Sequence, residues 1–361
     1  MDVPGFFSAT YAEARTRFLE CCMKRDIRVE NHLNERAKGA DGEDLYMDVA
    51  RIGPQEASRL LVISSGTHGG EGFCGSGIQV GLLETEAFQN LPADTAVLLI
   101  HAINPYGFSH IRRVNEDNID LNRNFLDFTD GVPDNPAYHE VHEWLLPDDW
   151  DGPARAKADA AIQHYIEDKG LKTFQAAVTG GQHIHADGLF FGGFGPSWSN
   201  KTLRGVIAKH AKNARHLAFI DLHTGLGPYG HGEIIYVGDP EGLPRATEWY
   251  GDDVTSPEAG TSASAIVRGT IDAGIAESAP NASLTAIAIE YGTIPVLEVL
   301  NALRADNWLY IKGDVESTQG KAIKQQMRDA FYCDADDWKE MVWTRGVELI
   351  NKAIAGVRRA E

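Results

Sequence analysis

The chain has 361 residues, 43% hydrophobic and 24% charged, a balance that supports a buried core and excludes a disordered or fibrous protein. Its formal net charge is −19, from 52 acidic and 33 basic residues, with no basic patch, so phosphate backbones and anionic membranes are repelled; no nucleic-acid and no membrane partner is expected. No stretch approaches the roughly 18 apolar residues of a membrane span, and the N-terminus lacks a basic segment followed by an apolar one. Cys21, Cys22, Cys74 and Cys333 show no metal-knuckle spacing, and the expectation is reduced thiols in a cytoplasmic protein.

In chain order, residues 59–64 (RLLVIS) read as a buried strand that empties into Ser65-Gly66-Thr67-His68-Gly69-Gly70-Glu71-Gly72, and helical spacing follows over 75–88. A second apolar run, 96–103, leads to Asn104-Pro105, Arg112-Arg113 and Asp120-Leu121-Asn122-Arg123. Helical spacing recurs at 137–146, 154–168 and 200–214. The stretch from about 130 to 200, with Pro133, Pro136, Pro147, Pro153 and a glycine-aromatic run, reads as an irregular insertion or lid. Strands are predicted at 216–222, ending in Asp221-Leu222-His223-Thr224-Gly225, and at 284–289, ending in Glu290-Tyr291-Gly292; helices follow at 296–309 and 335–355. This alternation predicts an α/β fold with a mixed, mostly parallel twisted sheet flanked by helices, and no linker divides 1–361 into two domains.

Four apolar runs therefore end in loops bearing ionisable residues, and in open α/β sheets ligands bind beyond the carboxyl ends of the strands. A catalytic zinc takes three protein ligands and leaves a fourth position for water. His68 and Glu71 supply two at short spacing, with glycines that let the loop fold tightly, and His223 supplies a third from another strand end.

The set His68-x-x-Glu71, Arg113, Asn122-Arg123, His223 and Glu290 resembles the zinc-carboxypeptidase-like superfamily, which includes pancreatic-type carboxypeptidases and the aspartoacylase and succinylglutamate desuccinylase deacylases. The segment from Arg113 to Phe125, with ten residues from Arg113 to Arg123, looks like the substrate-carboxylate segment of regulatory carboxypeptidases. A closer likeness, through YAEARTRF, SSGTHGGEGFCGSGIQ, NPYGFSHIRRVNEDNIDLNRNF, GGFGPSWSN and DLHTGLGPYGHGE, is to a bacterial carboxypeptidase-like branch of unassigned substrate. The resemblance implies a zinc-carboxypeptidase-like (phosphorylase/hydrolase-like) fold and one zinc ion per chain, held by His68, Glu71 and His223. It implies Glu290 as general base and Arg113 as the cation facing the developing oxyanion, with neighbouring Arg112 as its rival for that role and a further substrate-binding candidate. Asn122 and Arg123 would clamp a substrate carboxylate. Asp120 would accept from the non-ligating nitrogen of His68, and Asp221 is placed to serve His223 in the same way.

The implied reaction is metal-assisted hydrolysis of an amide in a small substrate with a free carboxylate. A carboxypeptidase acting on a small peptide leads, because the deacylases of the superfamily usually have a shorter arginine-to-arginine step; an N-acyl-amino-acid deacylase is the alternative, and a non-catalytic zinc or ligand-binding module the non-enzyme one. His183 and His185 form a competing metal pair on one face of a strand; His101, His110 and His231 read as structural; Cys74 reads as a small buried residue; and no Gly-x-Ser-x-Gly elbow supports a serine hydrolase.

Overall fold

The structure, a computed structural model, describes residues 1–360. It is built on one sheet of strands β1 (Val29–Lys38), β2 (Asp44–Ile52), β3 (Arg59–Ser64), β4 (Thr95–His101), β5 (His216–Tyr229), β6 (Gly232–Val237), β7 (Val254–Thr255) and β8 (Ser283–Gly292), in the order β1-β2-β4-β3-β5-β8-β6-β7. The middle four, β4, β3, β5 and β8, run parallel; β1 and β2 on one side and β6 on the other are antiparallel to their inner neighbours. The mixed, mostly parallel sheet is thus as expected from sequence.

The central strands are apolar on both faces because both are covered. Along β3 the side chains alternate: Leu61 and Ile63 join one core, Leu60 and Val62 the other. Helices α1 (Tyr11–Lys24) and α2 (Gly72–Glu84) cover the first face. The other face takes a helix at Trp198–His210, through Leu203, Val206 and Ile207, and one at Ile271–Ser278, through Ile271 and Ile275. The long C-terminal helix, Asp336–Arg359, adds Trp338, Val342, Leu349 and Ile350 to the first core.

A third apolar cluster sits over the carboxyl ends of the strands. It joins helices α4 (Pro136–Leu145), α5 (Pro153–Lys169) and α6 (Leu171–Thr179), which follow the short helix α3 (Pro105–Ser109), to two later helices at Val296–Lys312 and Thr318–Phe331. Within 130–200, α4 and α5 correspond to the helices expected at 137–146 and 154–168, α6 is an additional helix, and 180–197 forms no helix or strand of the sheet. Pro136 and Pro153 occupy the first helical position, where a missing N–H costs nothing, and the Asn135 side chain caps α4 by accepting from Tyr138 N–H at 3.2 Å. Among the described residues no helix is long and apolar enough to cross a membrane.

Candidate metal centre and substrate cleft

Strand order leaves β3 for β4 on one side and for β5 and β8 on the other, so the loops after β3 and β5 part at a switch point, where a crevice opens. The loop after β3 carries His68 and a short turn, Gly69–Glu71. It is laced to the loop after β4: Gly69 N–H donates to Arg113 O at 3.2 Å and Gly70 N–H to Arg112 O at 2.9 Å. Gly69 is required for that approach, since a Cβ there would lie 1.9 Å from the Gly107 carbonyl carbon. His223 and Glu290 are register partners on β5 and β8, so both side chains leave the sheet on one face.

These elements bring His68, Glu71 and His223 together, all buried, with one ligand atom from each lying within 4.8 Å of the others. Glu71 is the centre of the set. Its Oε1 is 2.8 Å from His68 Nδ1, and its Oε2 is 2.8 Å from His223 Nδ1 and accepts Thr224 N–H at 3.1 Å. The far nitrogen of each imidazole faces a carboxylate: His68 Nε2 meets Asp120 Oδ1 at 3.2 Å, and His223 Nε2 meets Asp221 Oδ2 at 2.6 Å. Asp221 is fixed in turn by Ser64 Oγ at 2.6 Å and Thr67 Oγ1 at 2.8 Å. Two imidazoles and a carboxylate, each ring backed by a further carboxylate, are a donor set that fits a zinc ion. Burial acts to raise the Glu71 carboxyl, but His68 and His223 outweigh it and hold the group below its usual range. Burial acts to lower His223, and Asp221 and Glu71 lift it well above the ordinary imidazole value.

Asp120 ties three functions together. Besides His68, it accepts Arg113 Nε at 2.8 Å and Asn122 N–H at 2.9 Å. Arg113 also lies 3.5 Å from Glu71 through Nη1. Glu290 is buried, with Oε1 accepting Leu226 N–H at 3.0 Å; burial first, then the Glu71 carboxylate, push its pKa up to about 8.

His68, Glu71, His223, Arg113, Asn122, Arg123 and Glu290 all line one cleft of about 200 Å³. Its remaining wall is apolar, from Phe174 and Val178 on α6, Ile235 and Val237 on β6, and Leu300 and Leu303 on the Val296–Lys312 helix. Asn122 Oδ1 accepts Ile271 N–H at 3.0 Å, fixing that side chain at the rim. Arg123 is 5% exposed; its Nη1 donates to Asn122 O at 2.8 Å, and its Nε and Nη2 hold Thr179 O. It forms no ion pair with any described residue, so it does not bridge acidic loops.

One expectation is corrected, and one rival reading is set aside. Arg112 turns away from the cleft: its Nε donates to Asp306 Oδ2 at 2.9 Å, its Nη2 to Asn118 Oδ1 at 3.1 Å, and its guanidinium stacks 3.7 Å over Tyr310. A buried arginine keeps its charge only with such partners, so it is not free to meet a substrate. His183 and His185 do not converge on one ion, because they lie in a turn and not in a strand. His183 Nδ1 is bound to Gly193 O at 2.8 Å, while His185 Nε2 is 2.9 Å from His139 Nδ1. Sequence reading missed the apolar wall, although GEIIYV at 232–237 is a strand-like run that could have signalled β6.

Residues 7–345 match the model of a family described as a protein of unknown function, DUF2817. The chain belongs to this family. No curated protein matches it in sequence. Among solved structures similar to this DUF2817 chain is carboxypeptidase A from Helicoverpa armigera, with 13% identity over 89% of this chain and 74% of that one, at a TM-score of 0.45. A succinylglutamate desuccinylase from Chromobacterium violaceum aligns with 14% identity over 86% and 72% of the two chains, at 0.38. A metallo-carboxypeptidase from Burkholderia cenocepacia aligns with 12% identity over 96% and 71%, also at 0.38.

Proposed function

We propose that this chain is a zinc-dependent hydrolase that cleaves an amide bond in a small substrate bearing a free carboxylate, as a carboxypeptidase-like exopeptidase. The observation that carries the reading is the convergence, in one cleft, of the His68, Glu71 and His223 donors, the cross-strand Glu290 and two guanidiniums, of which Arg123 makes no ion pair with a described residue. Zinc, when bound by His68, Glu71 and His223, lowers the pKa of water and polarises a carbonyl.

The chain's own residues supply the rest. Glu290 keeps one oxygen on Leu226 N–H and uses the other to take a proton from the attacking water and pass it to the leaving nitrogen. Arg113, held by Asp120, presents a fixed cation to the oxygen that becomes negative in the transition state. Arg123 and Asn122 receive the substrate carboxylate, and the apolar wall receives the adjacent side chain. The same wall suits the acyl chain of an N-acyl amino acid, which makes a deacylase the second reading. Helix α6, which lines the cleft through Phe174 and Val178, acts in this reading as a roof that excludes folded polypeptides.

The test is turnover by zinc-loaded protein of dipeptides with free and amidated C-termini and of N-acyl amino acids. Glu290→Gln is expected to retain zinc while turnover falls by roughly 10²–10⁴-fold. Full activity in that variant would remove Glu290 from the mechanism, and absence of zinc binding by the wild type would overturn the metal reading.

A further inference from the structure

A second group of metal-ligand side chains lies outside the cleft, where α4 meets the turn at 182–188. His142, His185 and Asp187 place one donor atom each within 4.8 Å of one another, and His142 Nε2 is 3.6 Å from Asp187 Oδ1. Two donors of a tetrahedral zinc with bonds of about 2.1 Å stand roughly 3.4 Å apart, so that pair is already near ligating separation. We propose that His142, His185 and Asp187 form a second, surface metal site for a borderline divalent cation such as zinc, distinct from the His68 centre.

Three observations support a built site and not a chance gathering. First, the donors sit on anchored backbone. Gln182 clamps the turn, its Oε1 accepting Ile184 N–H at 2.9 Å and His185 N–H at 2.7 Å while its Nε2 donates to His185 O at 2.7 Å. Asn118 Nδ2 donates to Ala186 O at 3.0 Å and Gly188 O at 3.1 Å, and Asn307 Nδ2 to Asp187 O at 2.8 Å. An anchored backbone confines the ordering cost of binding to side-chain rotation. The buried Arg112, which holds Asn118, thereby supports this turn.

Second, the imidazoles are placed as neutral ligands. The His142 and His185 rings stack at 3.7 Å with 19° between planes, an arrangement that two imidazolium ions would oppose. A metal needs the neutral ring. The stack must splay so that each ring turns an edge to the ion, a side-chain rotation that the partial exposure of both residues allows.

Third, polar atoms are left over. His142 Nδ1 is buried with no hydrogen-bond partner among the described residues. His185 Nε2 lies 2.9 Å from His139 Nδ1, and when His185 donates in that bond its Nδ1 is the atom left for the ion. His139 is thus a positioning residue. An ion here would pin α4 to the turn whose next residues lead into Phe190 on the cleft wall.

The test is zinc sulfate titration of metal-stripped protein against a chromophoric chelator. Wild type is expected to bind two equivalents, His142→Ala/His185→Ala one, and His68→Ala/His223→Ala one. His139→Ala is expected to weaken only the second equivalent, and Asp187→Asn gives a milder check should the double variant fold poorly. Hydrogen exchange of amides 184–190 is expected to slow on zinc addition to the His68→Ala/His223→Ala variant. A wild-type stoichiometry of one lost with His68, or a second equivalent indifferent to His142, His185 and Asp187, would overturn the proposal. Each site is assigned by its own variants, so the two metal readings fail separately.

Discussion

Replacing Arg123 by lysine and by methionine separates charge from geometry in the proposed substrate clamp. A guanidinium has five N–H donors. Here Nε and Nη2 each spend one on Thr179 O and Nη1 one on Asn122 O, which leaves two for a ligand. The group lies within 5.5 Å of the Phe190 ring centroid, burial lowers its pKa to about 10, and the desolvated charge makes no ion pair with a described residue. A docking carboxylate supplies that pair through charge-assisted hydrogen bonds worth about 1.5–3 kcal/mol. At about 1.4 kcal/mol per decade, losing them costs roughly ten- to a hundredfold in kcat/KM. Arg123→Lys keeps the charge without the fork and is expected near the lower figure, with Arg123→Met near the upper. The assay is kcat/KM on matched dipeptides with free and amidated C-termini, with thermal melts to confirm folding. Selective loss on the free series is expected. Equal loss on both would refute the clamp and leave Arg123 as a tie between α6 and the turn at Leu121–Arg123.

Asp221→Asn removes the carboxylate that holds His223 Nε2 at 2.6 Å and is expected to weaken zinc binding about 10–100-fold, read by chelator competition, with the circular dichroism spectrum unchanged. Gly69→Ala is expected to abolish zinc binding, since its Cβ would strike the Gly107 backbone, whereas Gly70→Ala, whose nearest neighbour is Met327 Cε at 3.5 Å, should bind normally; equal behaviour of the two would contradict the close-approach argument. His101 is fully buried between Ser76 Oγ and the Phe18 ring, and burial lowers its pKa to about 4. The unfolded ring takes up its proton near pH 6.5, so the penalty develops as pH falls from there towards 4 and reaches roughly 3 kcal/mol. His101→Gln should lose that much less stability over the same range in urea unfolding, and an unaltered pH dependence would rule the ring out as its source.

What the sequence made legible follows from where physical constraints are local. β3 is read to the residue because Leu60, Leu61, Val62 and Ile63 are consecutive and both faces of the strand are covered. β1 is missed because an edge strand carrying Glu30, Asn31, His32, Asn34, Glu35 and Arg36 has neither an apolar run nor a clean alternation. The helix predicted over 335–355 corresponds to Asp336–Arg359, but the preceding Thr318–Phe331 helix is missed, because its apolar side is limited to Ile323, Met327, Ala330 and Phe331 among two lysines and three glutamines. His68 and Glu71 stand out because they lie in the loop after β3, and His223 and Glu290 because the apolar runs of β5 and β8 stop at them, and the four sites converge. Arg112 and Arg113 are indistinguishable on such grounds. Which one enters the cleft is decided by Asp306 and Tyr310, nearly two hundred positions away in the chain, against Asp120 close at hand. The apolar wall is hidden for the same reason, since α6, β6 and the Val296–Lys312 helix meet only in the folded chain.

Charge balance at the cleft gives an argument for a dication that does not depend on any motif. Glu71, Asp120, Asp221 and Glu290 are four buried carboxylates, and Arg113 and Arg123 are the two guanidiniums that face them. With neutral imidazoles two negative charges are unmatched, in surroundings where an unmatched charge is costly. In the metal-free chain the imbalance is met by protons: His223 is held well above its usual range, and Glu290 is lifted to about 8. A divalent cation between His68, Glu71 and His223 matches the same two charges without them. Ligation requires the neutral imidazole, so ion and protons compete for one position, and the site that looks protonated without metal is the one whose donors are set to release those protons when metal binds.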